Sequence, residues 1–146
     1  MKVYVAGDYL AWNSIAKVME YVEAKGHEAV NIGAQSEQDQ IGLAEFIPKA
    51  CKQVLTNDES QGILLCGTGA GVEIGANRFK GIRASLCILP QQAEWARNKD
   101  NANVLCLSAW QLEESNNLEA ILDVWFSTNY DGSEQRLKML EDFDRF

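Results

Sequence analysis

Two rhythms alternate along this chain: a short apolar run, then a stretch whose apolar positions recur every three or four residues. Val3, Tyr4, Val5 and Ala6 give the first run, over 2–6, which stops at Gly7 and Asp8. Ile15, Met19 and Val22 set a helical spacing over 12–25, and Gly26 ends it. Residues 28–32 predict a second strand, and 33–40 a polar loop. Leu43, Phe46, Ile47, Ala50 and Val54 share one face of a helix over 42–56. Pro48 lacks the N–H that a helix interior needs, so this helix is expected to start near residue 46 or to kink there. The alternation continues as strand 61–66, helix 70–78, strand 82–87, helix 90–98, strand 103–107 and helix 114–127. A charged helix over 132–145 closes the chain. Strand–helix units in series, with no repeat or linker between them, predict one domain over 1–146. Its class is α/β, a parallel sheet with helices on both faces. Ligands of such sheets bind outside the carboxyl ends of the strands, where Asp8 and Cys66 lie.

The carboxyl end of the third strand carries the most chemistry. Ile63, Leu64 and Leu65 lead into Cys66, followed by the turn Gly67, Thr68, Gly69, Ala70 and Gly71. Glycines let backbone N–H groups close on a ligand, and the helix start beyond them favours negative charge. A thiol facing such a turn is placed to act as a base or nucleophile. The competing reading is a dinucleotide fingerprint. That motif follows a first strand and ends in Gly-x-x-Gly, whereas this turn follows the third and reads Gly-x-Gly-x-Gly. No nucleotide cofactor is expected.

Composition narrows the partners. A net charge of −8 argues against nucleic acid and anionic membrane surfaces, so an anionic substrate needs a local cationic pocket. No apolar run reaches membrane-spanning length and no secretory leader pattern is present, so a soluble cytoplasmic protein is expected. Cys51, Cys66, Cys87 and Cys106 form no CxxC pair and read as buried reduced thiols. The single histidine, His27, reads as an exposed helix end, and no ligand spacing suggests a metal site. Arg83 and Arg97 read as structural salt-bridge residues, Glu73 as a solvated helix residue. Trp12, Trp95, Trp110 and Trp125 read as core or interface packing, with Trp110 a candidate for lining the pocket.

Asp8, Cys-Gly-Thr-Gly-Ala-Gly at 66–71, Ala-Asn at 76–77, Gly-Ile-Arg-Ala at 81–84, Ala-Arg at 96–97 and Asn-Ala-Asn-Val at 101–104 form a set. Together they resemble the ribose-5-phosphate isomerase B and galactose-6-phosphate isomerase family over nearly the whole chain. The resemblance implies a Rossmann-like αβα sandwich with a five-stranded parallel sheet. It also implies a homodimer or tetramer with active sites at the subunit interface, to which the 132–145 helix contributes by packing on a partner. The implied reaction interconverts an aldose and a ketose without metal or organic cofactor. By the same resemblance Cys66 moves the proton between C1 and C2, and the 67–71 turn holds the enediolate oxygens. Thr68 orients a substrate oxygen or the thiol, and Asp8 with Asn101 or Asn103 contacts sugar hydroxyls.

Departures from the family pattern bear on the substrate. Tyr9 stands where the family has a histidine after the strand-one aspartate, and Lys99 where it has a ring-opening histidine. Its phosphate-clamping arginines fall at Trp110, Glu134 and Lys138, and its Gly-Gly-Arg-His signature at Gly132, Ser133, Glu134 and Gln135. A lysine ammonium, with an ordinary pKa of about 10.4, is a poor proton shuttle at neutral pH. The expected reaction is therefore aldose–ketose isomerisation through a cis-enediolate on a substrate already largely acyclic, and not on ribose 5-phosphate. A tetrose phosphate or a deoxy or keto sugar acid fits, its negative group met by Lys99, Arg136 and Lys138. The alternatives are a non-catalytic subunit of a heteromeric isomerase and a sugar-binding regulatory module.

Overall fold

The computed structural model describes residues 1–146. Its five strands are β1 (Lys2–Gly7), β2 (Glu28–Asn31), β3 (Gln61–Cys66), β4 (Ala84–Leu86) and β5 (Val104–Ser108). All pairings are parallel, in the order β2-β1-β3-β5-β4. The chain steps outward from β1 to β2 and then crosses to β3 on the other side, so the strand order reverses at β1/β3. Both carboxyl ends at that crevice carry candidate residues, Asp8 and Cys66.

The seven helices are α1 (Trp12–Ala24), α2 (Leu43–Val54), α3 (Ala70–Ala76), α4 (Pro90–Asp100), α5 (Ala109–Glu114), α6 (Leu118–Ser127) and α7 (Glu134–Asp142). Alternation along the strands sorts the core into two layers. Val3, Val5, Ile63, Leu65, Leu105 and Leu107 pack with α1, α4 and α6, whose largest contribution is the fully buried Trp125. Ala6, Leu64, Cys66, Val104 and Cys106 face α2 and α3, packing with Phe46, Ile47, Val54 and Val72. The Cys66 thiol therefore belongs to the α2–α3 face. β3 is buried at every position, as expected of the central strand of a sheet covered on both sides.

Several elements differ from the sequence expectation. A 3-10 turn at Tyr9–Ala11 precedes α1. α2 runs through Pro48 from Leu43. The carbonyl at Ala44 that loses its donor lies on the exposed side, where water can replace it. The expected strand 82–87 shrinks to three residues, because Arg83 gives its backbone N–H to the Asn103 side chain. The expected helix 114–127 begins only at Leu118, as α6, and an unexpected short helix, α5, precedes it. Ser108 caps α5 by accepting the Gln111 N–H at 3.1 Å, and Ser115 is extended before α6 begins. The C-terminal helix starts at Glu134, capped by Ser133, and ends at Asp142 in a 3-10 turn. None of its residues is buried.

His27 is half-buried and not an exposed end: its ring lies 4.6 Å from that of Phe126, and the Met1 ammonium donates to its Nδ1 at 3.3 Å. Burial and the neighbouring positive charges lower its pKa. Glu73 likewise is not a solvated helix residue, since its carboxylate accepts the Leu86 N–H at 2.8 Å. Asn77, just past α3, bonds both the N–H and the carbonyl of Ala84 through its side-chain amide, each at 2.9 Å.

Candidate active site

The glycine turn after β3 folds back on the thiol that precedes it. Gly69 adopts φ +79°, a left-handed conformation that an L side chain resists, and its N–H donates to Cys66 Sγ at 3.2 Å. Thr68 accepts the Ala70 N–H on its hydroxyl at 3.2 Å, closing the first turn of α3. The N–H groups of Thr68, Gly71 and Val72 donate to nothing in the chain. These unspent amides belong to the turn that closes on Cys66, a residue only 5% exposed. A Cβ on Gly71 would stand 3.9 Å from Cys66 Sγ and 2.9 Å from Leu43, so glycine keeps that side of the thiol open.

Two residues of β5 and α5 support this turn, and sequence reasoning missed the first. Ser108, the register partner of Cys66, donates its hydroxyl to the Gly67 carbonyl at 2.7 Å while capping α5. A serine before a short helix is a cap signal, but nothing in the sequence pairs it with residue 67. Trp110 donates its backbone N–H to the same carbonyl and lays its indole on Gly67, where a Cβ would meet the ring at 2.7 Å. It forms one wall of the site.

Asp8 reaches the site from β1. Its side chain is 9% exposed, caps nothing, and leaves Oδ1 buried without a partner. Burial raises its pKa, partly offset by the nearby N–H groups of Leu10 and Ala11. Tyr9 follows it, 44% exposed. At the thiols away from the turn, burial pushes the pKa of Cys51 and Cys87 up to about 11 and that of Cys106 well above its ordinary range.

The remaining candidates lie at the other end of the sheet. Asn101, in a left-handed conformation with φ 47°, ends α4, and Asn103 precedes β5. Asn103 accepts the Arg83 N–H and donates to the Gly81 carbonyl, shaping the turn. Lys99 pairs with Asp131 at 3.2 Å, and Arg136 with Asp100 through Nε at 2.9 Å. Lys138 forms no ion pair. A rise of ~3.3 Å per residue along β3 separates this group from its own chain's Cys66 by roughly 17 Å. Cavities of about 680, 390 and 280 Å³ open elsewhere on the surface, and none includes Cys66. The turn of a single chain is a half-open site, cation-free on its own side.

Comparison with known proteins matches residues 3–141 to the Ribose/Galactose Isomerase family. The chain belongs to that family. A probable ribose-5-phosphate isomerase B from Mycoplasma genitalium is 31% identical over 138 residues, 94% of this chain and 90% of the relative. The crystal structure of a ribose 5-phosphate isomerase from Thermotoga maritima superposes with a TM-score of 0.89 at 35% identity, covering 99% of this chain and 98% of that one. A 4-deoxy-4-sulfo-D-erythrose isomerase from Clostridium sp. strain MSTE9 is 31% identical over 75% of this chain and 69% of its own. Membership in the ribose/galactose isomerases makes this chain an isomerase of the sugar-phosphate class with the expected Rossmann-like sandwich. No helix is long and apolar enough to cross a membrane.

Proposed function

We propose that the chain is an aldose–ketose isomerase that shuttles a proton between C1 and C2 of a short, anionic, acyclic sugar. The observation that carries this reading is the Cys66 thiol enclosed by its own glycine turn, with the Thr68, Gly71 and Val72 amides unspent. The Cys66 thiolate removes the proton from the carbon beside the carbonyl. The C–H electron pair forms the carbon–carbon double bond, and the carbonyl π pair moves onto oxygen, giving a cis-enediolate. Fixed N–H donors of the 67–71 turn receive that charge, a contribution of about 3–4 kcal/mol per good donor. Cys66 then returns the proton to the neighbouring carbon, and a proton moves between the two oxygens. Asp8, with its unpartnered Oδ1, accepts a sugar hydroxyl, while Thr68 and Tyr9 border the reacting end.

The site is completed by a second copy of the chain. Lys99, Arg136 and Lys138 belong to the group at the other end of the sheet, a strand length of roughly 17 Å from their own Cys66, so one small substrate is not expected to touch both. A partner docked against the exposed Tyr9, Leu10 and Trp110 supplies these cations to the anionic end of the sugar, with Asn101 and Asn103 forming the turn behind them. Trp110 narrows the site beside Gly67, which favours a four-carbon chain over a five-carbon phosphate. The relative named for 4-deoxy-4-sulfo-D-erythrose supports the same size class, since a tetrose blocked at C4 cannot close a furanose ring. The test is kcat/KM, with solvent-deuterium incorporation at C1 and C2, for 4-deoxy-4-sulfo-erythrose, erythrose 4-phosphate and ribose 5-phosphate. The tetroses are expected to lead; equal or faster turnover of ribose 5-phosphate rejects the size argument, and absence of deuterium from every product rejects the enediolate.

A further inference from the structure

We propose a second ligand site on this chain, an oxyanion pocket at the amino ends of β3, β4 and β5 built on Arg83 and Arg97. It takes the phosphate or carboxylate group of a small polyhydroxylated metabolite. The pocket has a volume of about 390 Å³, and its lining includes both arginines with Asn57, Gln61, Asn101 and Asp58. It lies at the opposite end of β3 from Cys66.

The sequence reading gave Arg83 and Arg97 salt bridges, and the structure gives them none. Both guanidinium groups are half-buried. Burial pulls the pKa of each downward, and the field of Arg83 adds to the effect at Arg97. Acidic groups do face Arg83 from the C-terminal segment, namely Asp144 and Glu141. The Asp144 carboxylate is nevertheless engaged by the Gly81 N–H at 2.9 Å, and Asp58 is exposed at the pocket wall. Two partly desolvated cations thus share one cavity with no carboxylate in ion-pair contact with either, although Asp144 and Glu141 lie near Arg83, an arrangement that favours an anion between them.

Donor and acceptor accounting points the same way. Arg83 spends Nε and Nη1 on the carbonyls of Asn101 and Gly81, and Arg97 spends Nη1 on that of Ala102. Both Nη2 groups donate to nothing in the chain, and Arg97 Nε is buried without an acceptor. Gln61 gives its oxygen to the Trp125 indole N–H, and Asn57 gives its oxygen to the Glu59 N–H. Each therefore keeps a free NH₂ group. Unspent donors outnumber the free acceptors, which are the Asp58 carboxylate and the Asn101 side-chain oxygen, and this balance matches an oxyanion better than a neutral sugar. The carbonyl bonds fix Arg83, and stacking over Trp125 at 5.4 Å fixes Arg97, so little side-chain freedom is lost on binding.

The test titrates ¹⁵N-labelled protein with inorganic phosphate, and separately with acetate, following backbone amides and the arginine Nε signals. Saturable shifts at Gly81, Asn101, Asn103 and Arg83 are expected, with a rise in Tm. Arg83→Gln should weaken the affinity about tenfold, the effect of one lost charge-assisted bond. Saturation by acetate but not phosphate would make the ligand a carboxylate. If Arg83→Gln does not fold, the map on the unaltered protein decides. Shifts confined to residues 66–72 or centred on Lys99, Asp131 and Arg136, no saturation with either anion, or unchanged affinity in a folded Arg83→Gln protein would overturn the proposal.

Discussion

Asp8 and Cys66 lie side by side at the carboxyl ends of β1 and β3. Asp8 is buried with Oδ1 unpartnered, and its folded-state pKa is raised by that burial. An acid with a raised folded pKa carries no penalty below its unfolded value of about 3.9, loses stability as pH climbs from there to the folded value, and carries the full penalty above it. Asp8→Asn is therefore expected to raise Tm at neutral pH, to lose that gain in acid, and to lower turnover. Melts of both proteins across the acid-to-neutral range check the sign; a variant less stable at neutral pH contradicts it. Cys66→Ala should abolish deuterium exchange and turnover while changing Tm little, because the thiol's one polar bond is to a loop amide. Cys66→Ser should remain far below the parent, a hydroxyl being much the weaker acid. An active Cys66→Ala protein would move the base to Asp8. The sequence singled out both residues because each ends an apolar run. It gave no means of seeing that Asp8 Oδ1 lacks a partner, or that burial pushes up the pKa of Cys51, Cys87 and Cys106, since both depend on what other elements bring near.

Among the elements, the turn from β3 into α3 was legible from its glycines, and the structure adds why each is required. At Gly69 a Cβ would stand 2.5 Å from Leu86 Cδ1 and 3.1 Å from the backbone of Leu107, on top of the left-handed φ. Gly69→Ala should cost about 2 kcal/mol or more in chemical denaturation and lower kcat through the displaced amides. A variant as stable and active as the parent would show the turn to be slack. Periodicity found the strands and most helices to within a few residues, but it missed α5 and started α6 four residues early. α5 is only six residues long and starts at the cap of Ser108, whose hydroxyl also bonds Gly67, forty-one positions away. Long-range bonds of this kind also shorten β4 and draw Glu73 onto Leu86.

Across the whole molecule, the candidate residues divide between the two ends of the sheet, so the proposed site joins the carboxyl end of one copy to the amino end of another. Cys66→Ala and Arg136→Ala proteins, each inactive, should therefore regain activity when mixed and allowed to exchange subunits. Random pairing of a dimer gives half mixed pairs with one intact site each, about a quarter of the parent rate. Mixtures that stay silent after subunit exchange has been verified would mean that each chain works alone. The same molecule-wide view changes the meaning of the side-chain bonds on β4. The outward N–H groups of Ala84 and Leu86, and the Ala84 carbonyl, are occupied by Asn77 and Glu73. A lateral strand of the sheet ordinarily offers such groups to any passing chain. Here an incoming strand finds them taken, with a carboxylate standing in its path. Copies of this protein consequently have little means of joining sheet to sheet at β4, and a concentrated solution that loses Glu73 and Asn77 should be the one that grows fibres.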